Sequence, residues 1–233
     1  MCRTCGCDEP DQHHHHHRRI SLETDLLAKN ERIAEAVRAR FEHEGIVALN
    51  LIGTPGAGKT TLLEHTIRAL APTPMAVIEG DQATDHDARR IGATGCTVTQ
   101  VNTGTGCHLD ASMIERGLGV IKPRRGSLLF IENVGNLVCP ALFDLGERAK
   151  VVAMSITEGE DKPLKYPHIF RAASVLVLTK VDLAPYVDVD PAHCIEYARR
   201  INPELRVYPV AAPKGHGMAE WIGYLRGELE AAP

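Results

Sequence analysis

The sequence predicts an α/β fold, a mostly parallel sheet flanked by helices, preceded by a flexible Cys/His-rich tail. Three observations predict it. The apolar run 46–52 leads directly into Gly53-Thr54-Pro55-Gly56-Ala57-Gly58-Lys59-Thr60, and a segment of helical spacing follows. Six further short apolar runs alternate with helical segments, the pattern of strands buried on both faces beneath crossover helices. Residues 1 to about 20, by contrast, carry Cys2, Cys5, Cys7 and five consecutive histidines with almost nothing to bury.

Composition narrows the classes. The 233 residues suffice for one large core, so the chain divides most simply into a tail, 1–20, and one domain, 21–233. Lys plus Arg number 26 against 30 for Asp plus Glu, a net charge of -4, so no global basic field favours nucleic acid or an anionic membrane surface. No apolar stretch approaches the roughly 18 residues of a membrane span, and the N-terminus lacks the apolar core of a signal peptide. A cytoplasmic location is expected. Seven cysteines, an odd number, argue for metal ligation or reactive thiols over a disulfide framework.

Taken in order, leucines, alanines and charges from Ser21 to about Arg40 predict an amphipathic helix that packs on the domain and that Gly45 ends. Ile46 to Ile52 is the first strand. The loop after it is a complete G-x-x-x-x-G-K-T sequence, which makes the domain a P-loop NTPase. Gly53, Gly56, Ala57 and Gly58 let backbone N–H groups turn toward phosphates, Lys59 reaches the β and γ phosphates, Thr60 ligates Mg²⁺, and Thr61 opens the helix that runs to Leu70. The remaining strands are Met75 to Ile78, Cys96 to Val101, Ser127 to Ile131, Lys150 to Ile156, Ser174 to Leu178 and Arg206 to Val210. Ligands of open α/β sheets bind beyond the carboxyl ends of the strands, where the remaining motifs fall.

Thr179-Lys180-Val181-Asp182 resembles the N-K-x-D base-recognition signature, with Thr179 in place of Asn. An Asp182 carboxylate accepts from guanine N1–H and the 2-amino group together, whereas adenine offers no such donor pair, so GTP and GDP are the expected nucleotides. Val210-Ala211-Ala212-Pro213-Lys214-Gly215 resembles the second base loop, with Ala212 as its backbone contact. Two acidic strand ends, Glu79-Gly80-Asp81 and Glu132-Asn133-Val134-Gly135, each offer a carboxylate for Mg²⁺, directly or through water; Asp81 joins Thr60 as the expected ligand, and Glu132 joins the catalytic set. The second has D-x-x-G spacing, with Glu for Asp, and places a Gly135 N–H for the γ phosphate. No residue identifies itself as the water-positioning group, so slow intrinsic hydrolysis is expected.

A metal constellation stands beside these motifs. Cys107 and His108 adjoin what reads as a helix start after the third strand, a setting that favours thiolate. Cys139 lies just beyond Gly135; if it comes near the pair, three ligands suited to Ni²⁺ or Zn²⁺ are coupled to the phosphate sensor. Cys2, Cys5 and Cys7 form a second chelating set, with the N-terminal amine as a fourth donor suited to Ni²⁺, and His13, His14, His15, His16 and His17 hold further ions weakly. Cys96 and Cys194 read as small buried hydrophobes.

With all of these motifs together, the sequence resembles the HypB family of hydrogenase nickel-incorporation GTPases over essentially its whole length. The matching segments include Cys2-x-x-Cys5-Gly6-Cys7, the P-loop, Gly80-Asp81-x-x-Thr84-x-x-Asp87-Ala88-x-Arg90-Ile91, Asn102-Thr103-Gly104 through Asp110, Glu132 through Pro140, and Lys180-Val181-Asp182-Leu183. The resemblance implies a GTPase that binds nickel, forms a homodimer around nucleotide and metal, and works with a zinc/nickel chaperone of the HypA type to load the [NiFe]-hydrogenase large subunit. It also implies a tight tail site at Cys2, Cys5 and Cys7 and a weaker site at Cys107, His108 and Cys139 near a dimer interface. The alternatives are a urease-type nickel GTPase resembling the UreG family, whose Cys-Pro-His motif is interrupted here by Ala141, and a nickel-storage protein.

Overall fold

A computed structural model describes residues 12–81, 84–104 and 106–232, with the backbone alone for 12–23. Seven strands, β1 (Val47–Ile52), β2 (Met75–Asp81), β3 (Thr97–Asn102), β4 (Leu128–Glu132), β5 (Ala149–Ser155), β6 (Val175–Thr179) and β7 (Arg206–Pro209), form one sheet in the order β3-β2-β4-β1-β5-β6-β7. All six pairings are parallel. Because helices cover both faces, the central strands β1, β4 and β6 are buried at every position, and their sequences read as apolar runs broken only by Asn50 in β1 and by the strand-end residues Glu132 and Thr179. The strands match the seven apolar runs, with ends shifted by one residue at most of them. β2 differs more, since it continues through Glu79, Gly80 and Asp81 and pairs Glu79 with Glu132 of β4.

β1 is the centre of the sheet. The chain crosses from it to β2 and β3 on one side and later to β5, β6 and β7 on the other, so the order reverses beside β1 and opens a crevice at its carboxyl end. The P-loop fills that position and leads into α2 (Lys59–Leu70), which the N-terminal helix α1 (Gln12–Glu44) precedes in the chain. The short helix α3 (His86–Gly92) then connects β2 to β3.

Three apolar clusters hold the layers together. On one face, Leu62, Leu63 and Ile67 of α2 pack with Trp221 and Leu225 of the last helix, Met218–Glu230, against β1, β4 and β6. The fully buried Trp221 donates its indole N–H to Thr66 at 2.9 Å. Truncating a buried Trp of this kind costs about 3–5 kcal/mol. On the opposite face, Val37 and Phe41 of α1 pack with Ile114 and Leu118 of α4 (Ala111–Ile121) over β2 and β4. Behind β5 and β6 lie Ile169, Phe170, Cys194 and Ala198. Cys194 is fully buried, as a small hydrophobe should be, and burial pushes its thiol up to about 11.

α1 begins at Gln12, upstream of the expected Ser21, so the histidine run lies in helical backbone. The side chains of His13 to His17 lie outside the described residues, and so do Cys2, Cys5 and Cys7. No helix among the described residues is long and apolar enough to cross a membrane.

Candidate nucleotide and metal site

Backbone conformation builds the phosphate loop. Gly58 sits at φ 88°, a left-handed geometry that suits glycine, and the next residue, Lys59, starts α2. Lys59 is buried and donates to the carbonyls of Gly53 and Thr54 at 3.1 and 3.3 Å, so its ammonium lies folded over the loop. Gly135 of the D-x-x-G-like segment packs directly on this loop. A Cβ there meets the Pro55 ring at 2.7 Å, closer than any real Cβ contact.

A cleft of about 520 Å³ is lined by the P-loop, Glu79, Asp81, Asp87, Arg90, Glu132 to Gly135 and Lys180. Its floor is acidic and buried. Thr60 Oγ1 donates to Glu132 Oε1 at 2.8 Å, while Oε2 of Glu132 and Oε2 of Glu79 have no hydrogen-bond partner. Burial pushes the Glu132 carboxyl up to about 7, against the opposing pull of Lys59 and Thr60. Burial, followed by the neighbouring Glu132, pushes Glu79 up to about 8. Two carboxyls in register with orphaned oxygens beside a P-loop hydroxyl form the oxygen donor set that a hard divalent cation such as Mg²⁺ takes. Asp81 lines the rim, where its Oδ2 accepts from the Thr84 N–H and hydroxyl at 2.9 and 2.8 Å. Of these carboxylates Glu79 is the one that the sequence motifs leave unassigned; its burial inside β2 is invisible in an E-G-D triplet that reads as a strand-end turn.

The base-recognition segments close the other wall. Thr179 is buried and donates from Oγ1 to the Ala57 carbonyl at 2.6 Å, so Thr in the Asn position still braces the P-loop. Lys180 donates to the Gly56 carbonyl at 2.7 Å. Val181 N–H bonds to the Val210 carbonyl at 3.2 Å, which brings Asp182 beside the loop that holds the buried Ala212. Asp182 Oδ2 pairs with Lys214 Nζ at 3.0 Å. Arg90 of α3, a residue outside the predicted set, ties Thr61 and Glu64 of α2 to Asp87 at 3.1, 2.7 and 3.3 Å.

Cys107, His108 and Cys139 come together, their ligand atoms all within 4.8 Å, the one such group of three among the described residues. The two sulfurs are 3.0 Å apart, and Cys107 Sγ lies 3.7 Å from His108 Nδ1. Both thiols are half-buried and free. The His108 ring lies against Phe143, centroids 4.0 Å apart, and burial lowers its basicity against the opposing pull of Asp110, a shift toward the neutral form of imidazole, the one that ligates metals. The hydrogen bond with Cys107, reinforced by burial, raises Cys139. The helix-start expectation for Cys107 is corrected: Asp110 caps α4, accepting from the Met113 N–H at 2.8 Å, and Cys107 lies in the preceding loop. The short helix α5 (Cys139–Leu142) leaves Val138 and Leu142 exposed beside the cluster.

Comparison with known proteins agrees with this geometry. Residues 47–209 match the family described as CobW/HypB/UreG, nucleotide-binding domain. The hydrogenase maturation factor HypB of Azotobacter chroococcum mcd 1 is 56% identical over 92% of this chain and 70% of its own length. The Escherichia coli K12 factor HypB is 54% identical over 89% of this chain and 72% of its own length. Among solved structures, HypB of Archaeoglobus fulgidus superposes with a TM-score of 0.81 at 41% identity, covering 87% of this chain and 99% of that one. HypB of Helicobacter pylori, solved in complex with nickel, gives 0.82 at 33% identity, covering 87% and 95%.

Proposed function

This chain belongs to the HypB hydrogenase maturation factors of the CobW/HypB/UreG nucleotide-binding family, and from that premise we propose how its two sites work together. It is a nickel-binding GTPase of hydrogenase maturation, with GTP or GDP and Mg²⁺ at one site and nickel as cargo. The gating is our reading: binding and hydrolysis of GTP change the hold of Cys107, His108 and Cys139 on nickel. The single observation that carries it is the shared segment Glu132 to Cys139, which starts at the Thr60 hydroxyl and ends at a ligand sulfur.

In this reading Lys59 leaves its carbonyl partners to meet the β and γ phosphates, and the P-loop N–H groups orient the chain of phosphates. Thr60, Glu132, Glu79 and Asp81 hold Mg²⁺, which when bound supplies the charge neutralisation that phosphoryl transfer needs. Gly135, already against Pro55, offers its N–H to the γ phosphate. Asp182 selects guanine in place of Lys214, Lys180 and Ala212 flank the base, and Thr179 fixes the wall. Once the phosphate leaves, the segment that carries Cys139 is released from that contact.

Three ligands leave one coordination position open on a four-coordinate ion. Its flanks, Val138 and Leu142, are exposed apolar side chains, which supports a partner face there. The partners belong to the maturation machinery; a second copy of this chain, a HypA-type chaperone and the [NiFe]-hydrogenase large subunit are the ones that we assign. Zn²⁺ suits the same donors, and the tail thiols Cys2, Cys5 and Cys7 with His13 to His17 form a separate nickel store in the same cytoplasmic protein.

The test is replacement of Cys139 by Ser. The expected result is loss of nickel at the domain site with GTP turnover retained; unchanged nickel binding, measured with the tail thiols replaced by Ser, overturns the assignment.

A further inference from the structure

Asn50 is the polar interruption of β1, Val-Ala-Leu-Asn-Leu-Ile, and it is fully buried. An amide in that position is stable only if its hydrogen bonds are made. Its Nδ2 donates to Glu147 Oε1 at 3.1 Å, and its Oδ1 accepts from Asn133 Nδ2 at 3.2 Å. Asn133 Oδ1 in turn accepts the N–H groups of Leu109 and Val134 at 3.1 and 3.0 Å. Backbone N–H groups only donate and a carboxylate accepts, so both amide orientations are fixed by their partners.

The chain of contacts continues beyond Glu147. Its carboxylate binds Lys150 Nζ at 3.0 Å and accepts the Leu145 N–H at 2.6 Å. Lys150 also donates to the Phe143 carbonyl at 2.6 Å and the Pro140 carbonyl at 3.3 Å. The Pro140 carbonyl lies within the turn that begins with Cys139, and that of Phe143 directly follows it. One buried polar chain therefore runs from the residue after His108, through the residue after Glu132, across the central strand, to the support of Cys139.

We propose that Asn50 and Lys150 are positioning residues that couple nucleotide state to the separation of the metal ligands, by way of Asn133 and Glu147. The inference rests on the nucleotide-gated reading above. Apolar packing around this chain accommodates small shifts in many ways, whereas directional hydrogen bonds in a buried setting are either kept or broken as a set. Glu132 accepts from Thr60, the hydroxyl assigned to Mg²⁺ above, so a shift of this pair on binding Mg·nucleotide draws on Asn133 next to it. Asn133 then pulls on Leu109, beside His108, and through Asn50, Glu147 and Lys150 on the turn of Cys139.

The test is a Ni²⁺ titration of the full chain with Cys2, Cys5 and Cys7 replaced by Ser, in Mg·GDP and in Mg with a non-hydrolysable GTP analogue, read by thiolate-to-nickel absorbance. The parent is expected to show affinities that differ between the two states by about fivefold or more. Lys150→Met should bring that ratio to about one with nucleotide affinities within about twofold of the parent, and Lys150→Arg should restore it. Asn50→Leu is the second variant; Lys150, with its side chain partly exposed, keeps the test alive if the strand does not tolerate it. A merely structural role lowers the urea midpoint and leaves the ratio alone. Variants that keep the parental ratio overturn the coupling alone; a parental ratio of one overturns the gated reading with it.

Discussion

Thr60 Oγ1 donates to Glu132 Oε1 at 2.8 Å, so the last residue of the P-loop motif and the first residue of the switch-like segment are one hydrogen-bonded unit. A hydroxyl that donates to a carboxylate keeps its lone pairs for a cation, so Mg²⁺ bound at this hydroxyl would draw Glu132 into its surroundings. The metal cluster lies at the far end of the same segment.

Lys59→Ala removes the buried ammonium that we assign to the phosphates. GTP turnover should fall by about 10²–10³-fold, the scale of losing one preorganised electrostatic contact. Steady-state phosphate release measures it, and nickel bound by the tail thiols should be unchanged.

Asp182→Asn exchanges a double acceptor for one donor and one acceptor. Guanine then faces a mismatched amide, while the N1–H and 2-oxo groups of xanthine match it. GTP affinity should drop by about tenfold to a hundredfold, the cost of a buried mismatched polar pair, and competition with XTP should show the preference reversed. An unchanged preference for GTP excludes Asp182 as the selecting group.

Gly135→Ala drives a methyl group into the Pro55 ring, whose backbone nitrogen lies 2.9 Å from the position of the new Cβ and cannot rotate away. The switch must retreat from the P-loop. We expect GTP to bind but turn over up to about a hundredfold more slowly, as for a displacement of about 1 Å in a reacting complex.

Arg38 on α1 donates to both oxygens of Asp144 at 2.7 and 2.6 Å, and Asn30 donates to the Asp144 carbonyl at 2.7 Å. Burial raises the Asp144 carboxyl, but Arg38 and the Gly146 N–H outweigh it, and the net shift is downward. A folded value below the unfolded one means that the contribution is complete above the unfolded value and is lost as pH falls through the folded one. Both side chains are 37% exposed, so solvent limits the pair to about 0.5–1 kcal/mol. Urea unfolding of Asp144→Asn should show that deficit from neutral pH down to pH 5, shrinking below about pH 4, the ordinary range of Asp.

Much of the fold is legible because a parallel sheet buried on both faces leaves short, mostly apolar runs, and the G-x-x-x-x-G-K-T loop marks the carboxyl end of its central strand. The meeting of Cys107, His108 and Cys139 is legible because the three flank segments that carry the nucleotide motifs. What the sequence conceals are polar residues whose roles depend on cross-strand partners. Glu79 faces Glu132 only through β2–β4 register, Asn50 reads as an isolated flaw in an apolar strand, and Lys214 meets Asp182 only when two distant loops close. Thr179 stands in place of the usual Asn, and only the fold shows that its hydroxyl reaches the Ala57 carbonyl. Cys107 looks like a helix-start thiol because its loop is short, and Asp110 takes the cap instead.

Nucleotide gating of the metal cluster is decided by the nickel affinity of the Cys107, His108 and Cys139 site in the otherwise wild-type domain, with the tail thiols silenced, before and after Mg·GDP is exchanged for Mg with a non-hydrolysable GTP analogue. Gating requires thiolate-to-nickel absorbance curves whose midpoints separate with nucleotide state. Superimposable curves, with both nucleotides demonstrably bound, would refute it and leave a GTPase whose metal cluster does not respond to its own nucleotide.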